Sequence, residues 1–142
     1  MKRFSTLLIL SALVLVSFYL GKGFSQPNLR VQRYGMVIGI KPEMMEQYKR
    51  LHAKSWPGVI TMIRDCNIRN YSIYLKELEH GKHYLFAYFE YVGNDFEADM
   101  AKMAADPVTQ DWWNQTDPCQ IPIQTRGDNE FWANMEEVFH SD

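Results

Sequence analysis

The ten residues from His83 to Val92, His-Tyr-Leu-Phe-Ala-Tyr-Phe-Glu-Tyr-Val, constrain this chain more than any others. They contain no glycine or proline, and apolar side chains fall on both parities: Leu85, Ala87, Phe89 and Tyr91 on one, Tyr84, Phe86 and Tyr88 on the other. Aromatic residues at this period predict a strand, and bulk on both faces requires both to be covered. Residues 68–76 alternate likewise, Tyr71, Ile73 and Leu75 against Asn70, Ser72 and Tyr74. Residues 77–82, with His80-Gly81, read as a hairpin loop, so the two strands run antiparallel.

Other segments extend this pair on either side. Residues 31–40 predict a first strand with Tyr34, Met36, Ile38 and Ile40 on one side and Gly35 and Gly39 on the other. Pro42 then suits the first turn of a helix, where a missing N–H costs nothing. Met44, Met45, Tyr48, Leu51, His52 and Ser55 follow at helical spacings, and Pro57-Gly58 kinks or restarts the helix before a turn at Asp65-Cys66-Asn67. Asn94 is expected to cap a helix with Phe96, Met100, Met103 and Ala104 in one stripe. Asp106-Pro107 opens another helix that carries Trp112-Trp113. Residues 116–129, with Pro118, Pro122 and Gly127, read as a long loop, and residues 135–140 as a final strand.

The order is βαββαβ, an α+β ferredoxin-like fold with an antiparallel sheet and helices on one face, of the dimeric α+β barrel type. The other sheet face then needs a cover. A homodimer packing sheet against sheet, or a ligand held between sheet and loops, would supply it.

The first residues belong to a different object. Phe4 to Gly21 is an 18-residue stretch without charge, preceded by Lys2-Arg3 and followed by Lys22. With the small residues of Gly23-Phe24-Ser25, this reads as a secretory signal over residues 1–25 and a domain over 26–142. The protein is then expected to be exported, periplasmic or secreted. The alternative is an uncleaved N-terminal anchor, since the stretch just reaches membrane-spanning length. Of the 15 basic and 17 acidic residues, the signal removes three basic ones, leaving the domain net −5. With no basic cluster, a nucleic-acid partner is disfavoured.

Cys66 and Cys119 have no metal-ligand spacing and read as buried thiols, although an exported protein can bridge them if they meet. His52, His80, His83 and His140 form no zinc pair, so no metal is expected. Nor is there a P-loop, dinucleotide fingerprint or nucleophile elbow, which disfavours cofactor-dependent chemistry.

Tyr48 and His52 are four residues apart and share one helix face. An imidazole exchanges protons near neutral pH, while a phenol stays protonated and donates a hydrogen bond. Tyr and His at this spacing also occur simply as packing residues. In Trp112-Trp113 the side chains point about 100° apart, so one indole can enter a core while the other edges a cleft. Aromatic faces stack on the C–H groups of a sugar ring, and Tyr71 adds a hydroxyl to such a site.

In combination these motifs are specific. Tyr34-Gly35-Met36, the run Glu46-Gln47-Tyr48-Lys49-Arg50-Leu51-His52, Trp56-Pro57, Asn70-Tyr71-Ser72-Ile73-Tyr74-Leu75, Trp112-Trp113 and Glu137-Val138-Phe139 occur in this order. The chain in this respect resembles the L-rhamnose mutarotases, small dimeric ferredoxin-like proteins. The resemblance implies that His52 is a catalytic proton donor, that Tyr48, Tyr71, Trp112 and Trp113 hold the sugar, and that no cofactor is used. It implies exchange of the α and β anomers of L-rhamnose or a related 6-deoxy sugar by acid/base ring opening and closure. His52 would deliver a proton to the ring oxygen, with the base unassigned among Tyr48, another tyrosine and water. The chain departs from the family in its export signal, its hairpin at Glu79-His80-Gly81-Lys82 and its long loop with Trp132. Those departures leave L-fucose open as the sugar. A non-enzymatic sugar-binding module and a cofactor-free monooxygenase of the same broad fold are the competing readings.

Overall fold

The computed structural model describes residues 31–141; the expected signal segment, residues 1–25, lies outside them. The chain runs β1 (Gln32–Ile40), α1 (Met45–Ala53), α2 (Pro57–Asp65), β2 (Ile68–Glu77), β3 (His83–Tyr91), α3 (Phe96–Ala105), α4 (Pro107–Thr116), β4 (Gln120–Ile121) and β5 (Ala133–Met135). The sheet order is β2-β3-β1-β4, with β5 beside β4 on the same edge of β1 and every pairing antiparallel. This is the expected α+β fold with its last strand split in two.

Prolines start three of the helical segments among the described residues. Pro42 opens a short 3-10 turn before α1, Pro57 restarts the chain as α2 rather than kinking α1, and Pro107 opens α4. Asp95, and not the expected Asn94, caps α3: its carboxylate accepts from Ala98 N at 3.0 Å. The backbone turns into the helix one residue later than expected, and the carboxylate there also meets the positive end of the helix dipole.

Two strand assignments also change. The expected loop over 116–129 contains β4, which pairs Gln120 with Ile40 and Ile121 with Gly39. Gly39 permits this approach, since a Cβ there would sit 2.9 Å from the Ile121 carbonyl oxygen. The final strand is Ala133–Met135 rather than 135–140. Beyond it Val138 and Phe139 are 88% and 81% exposed, so neither is packed against the described residues.

β2 carries a bulge that simple alternation does not show. Arg69 pairs with Glu90 and Ser72 with Tyr88, so Asn70 and Tyr71 together oppose Phe89. Asn70 takes the left-handed conformation (φ 52°) that asparagine tolerates, and its amide donates to Glu90 Oε2 at 2.7 Å. The extra residue shifts the phase, putting Ile68 on the same face as Tyr71, Ile73 and Leu75.

That face packs in two clusters. Ile38, Ile40, Tyr48, Leu85 and Cys119 form one, joined by Met44, Met45, Ile73 and Trp132. Ile68, Phe89 and Tyr91 form the other, with Phe96, Met100 and Met103 of the expected α3 stripe against them. Cys66 and Cys119 are buried free thiols.

Candidate active site

A cavity of about 1070 Å³ lies between this sheet face and the helices. Tyr48, His52, Tyr71, Trp112 and Trp113 all line it. Sequence spacing linked only Tyr48 with His52; the fold brings the others to them from β2 and α4.

Tyr48 is 5% exposed and packs with Ile40, Leu85 and Cys119, which fixes the rotation of α1 and so the direction of His52 one turn later. The half-buried His52 ring lies 4.1 Å from the Tyr48 ring and 5.2 Å, edge-on, from that of Trp112. Its Nδ1 is 2.9 Å from the Tyr48 carbonyl oxygen. A carbonyl only accepts, so Nδ1 carries the hydrogen, and the neutral ring keeps its lone pair on Nε2. Burial pushes the imidazole below its ordinary 6.5, opposed by the bond to the backbone. At neutral pH His52 is therefore a proton acceptor held in one tautomer.

α4 is anchored by Asp106, whose carboxylate accepts from Thr109 N at 2.8 Å and Thr109 Oγ1 at 2.7 Å. Trp112, 6% exposed, is wedged between His52 and Trp56, whose ring lies 5.4 Å away. Trp113 points about 100° around the helix and remains 36% exposed on the cavity wall.

Tyr71, placed by the bulge, meets Phe89 edge-on at 5.7 Å. The residue keeps 41% of its surface accessible, but that surface borders the cavity, and the protein crowding its phenol pushes it up to about 12. The Tyr48 phenol is also held high, by burial first and then by Tyr71, Cys119 and Asp117 beside it. Both stay protonated as donors, and neither hydroxyl makes a hydrogen bond among the described residues.

Asp117, Gln120 and Trp132 also line the cavity. Sequence reasoning left all three in a long loop. The usable signal was the sheet itself, which requires the chain after α4 to return to the free edge of β1 and so past His52. Burial holds the Asp117 carboxyl above the usual carboxylate range. Among the described residues no group of His, Cys, Asp and Glu is arranged to hold a metal, and no helix is long and apolar enough to cross a membrane.

Residues 33–141 match the family model described as L-rhamnose mutarotase. The chain belongs to the L-rhamnose mutarotase family. Among its curated relatives, the L-rhamnose mutarotases of Sinorhizobium fredii and Lactiplantibacillus plantarum are each 32% identical over 111 residues, spanning 78% of this chain and 98% of theirs. The crystal structure of L-rhamnose mutarotase from Formosa agariphila superposes with a TM-score of 0.57 at 22% identity, covering 78% of this chain and 99% of that one. Tetracenomycin F2 cyclase from Streptomyces glaucescens, a type-II polyketide cyclase, superposes at 0.52 with 15% identity, over 78% of this chain and 95% of its own. At such identities the two structures speak to the fold alone.

Proposed function

We propose that this protein exchanges the α and β anomers of L-rhamnose or a related 6-deoxy sugar. The observation that carries the reading is the single-tautomer His52, neutral and facing a cavity walled by indoles and protonated phenols. Ring opening of a hemiacetal needs a base at the anomeric hydroxyl and an acid at the ring oxygen. In this reading Nε2 of His52 takes the anomeric proton first, so its donor role belongs to the imidazolium formed in that step. The ring oxygen, leaving as an alkoxide more basic than a phenolate, takes its proton from Tyr71 or Tyr48. The aldehyde turns about its C1–C2 bond. The phenolate then draws the proton from the ring hydroxyl as it attacks the other face, and the imidazolium returns its proton to the carbonyl oxygen. Proton transfer positioned in this way is worth roughly 10² to 10⁴ in rate. Trp112 and Trp113 offer stacking faces for the sugar's C–H groups.

The protein works outside the cytoplasm, on the strength of residues 1–25, and sequencing the N-terminus of the exported form tests cleavage after Ser25. It is a homodimer joined through the outer sheet face, where Tyr74 is 65% exposed beside Phe86 and Tyr88; light scattering tests this.

The decisive experiment is saturation-transfer NMR between anomeric protons of L-rhamnose, L-fucose and other sugars. Exchange faster than buffer for a 6-deoxy sugar is expected, and its absence for all of them sinks the reading. Binding without exchange, unchanged in His52→Ala, turns the protein into a binding module.

A further inference from the structure

Gln120 is only 7% exposed, and its Oε1 has no hydrogen-bond partner. Buried amide oxygens are nearly always satisfied, so an unmet one in a residue that lines the cavity marks a place where a donor is required. The backbone around it is firmly set. Gln120 pairs with Ile40 across β4 and β1, and Lys41 N donates to Cys119 O at 2.9 Å. Cross-strand partners share a sheet face, so the Gln120 side chain lies beside Ile40, which packs against Tyr48. Both Gln120 and Ile40 line the cavity that holds His52. The groups around them leave the need unmet: the Tyr48 phenol donates nothing to Gln120, and Cys119 gives its thiol to the Gln115 carbonyl at 3.6 Å.

We propose that Gln120 is a specificity-determining residue of this cavity, its amide oxygen accepting a hydrogen bond from a ring hydroxyl of the bound sugar other than the anomeric one. The inference rests on the sugar reading above and deepens it. An apolar side chain in this place would pack well and cost no unmet amide, so the glutamine is explained by what it binds. His52 handles the anomeric proton, whereas Gln120 reads the pattern of hydroxyls that separates one 6-deoxy sugar from another. A ligand that brings no donor to this acceptor forgoes one hydrogen bond, which is the discrimination Gln120 supplies.

The test compares wild type with Gln120→Met and Gln120→Leu on L-rhamnose and its 2-, 3- and 4-deoxy derivatives. Ligand-observed NMR reads binding and saturation transfer reads exchange. We expect the variants to bind L-rhamnose about three- to tenfold more weakly, the size of one neutral hydrogen bond. The change should fall on KM with kcat nearly kept. One deoxy sugar, lacking the partner hydroxyl, should bind wild type and variants alike, and the variants should melt no lower than wild type. An equal penalty for every sugar, no penalty for any, or failure of both variants to fold overturns the role for Gln120. Binding by wild type without exchange overturns the mutarotase reading and leaves the deoxy-sugar comparison to decide on Gln120. No binding of any of the sugars overturns both.

Discussion

Tyr91 and Tyr48 are both buried phenols, 0% and 5% exposed, yet their hydroxyls have opposite surroundings. The Tyr91 hydroxyl donates to Asp99 Oδ2 at 2.7 Å and accepts from Asp95 N at 3.0 Å. Asn67 holds the same Asp99 oxygen at 2.8 Å, and these two bonds keep the carboxyl below its usual range. Gly93 leaves room for the arrangement, since any Cβ there would run into the Tyr91 hydroxyl. The Tyr48 hydroxyl has no such partners and borders the cavity beside Asp117 and Tyr71. Burial alone therefore does not say whether a phenol is satisfied here. A satisfied phenol ties α3 to the end of β3, while an unsatisfied one faces a space that a ligand can fill.

The contrast can be broken most forcefully at His52. His52→Ala should slow anomer exchange by roughly 10² to 10⁴ while leaving the circular dichroism spectrum and melting temperature near wild type. The pH profile of kcat/KM sharpens the same point. His52 is held below 6.5 by burial, so the acid limb should have its midpoint under 6.5. Its contribution to stability has the matching sign: complete above about 6.5, where the unfolded imidazole is also neutral, and lost as pH falls towards the folded value. An acid limb at or above 6.5 would contradict the buried, carbonyl-bonded ring.

The two tyrosines should then separate by readout. Tyr48→Phe should reduce exchange about tenfold and leave the melting temperature unchanged or raised, because no bond among the described residues is lost. Tyr91→Phe should lower the melting temperature by roughly 4 °C or more and spare kcat. If both variants lose the same property, the comparison fails. Gly39→Ala should cost about 1–3 kcal/mol, as its Cβ meets the Ile121 carbonyl. It should also raise KM through displacement of β4 and Gln120, measured by denaturation and by exchange kinetics. The smallest effect is expected at the far end of the site. Asp106→Ala removes the cap of the helix bearing the Trp pair and should cost about 0.5–2 kcal/mol, with exchange little changed at 25 °C.

Much of this was legible before folding. The strands and helices follow from period-2 and helical spacing and from Pro42, Pro57 and Pro107, because those signals are local. The residues that fell outside that reading share a cause. The Asn70 bulge depends on how β2 meets β3, not on β2 alone, and β4 is too short to show a period. Asn94 and Asp95 offer the same capping chemistry one residue apart, so only the backbone path chooses between them.

By itself the sequence determined the kind of fold, the family, and the pairing of Tyr48 with His52 on one helix face, since helix geometry places any i, i+4 pair together. Only the tertiary structure decided that Tyr71 and the two tryptophans face that pair. It also set the tautomer of His52 and left the buried acceptor of Gln120 unmet. Those features depend on which groups from distant segments meet in the interior, and hydrogen bonding and desolvation act on distances in space that separation along the chain does not reveal.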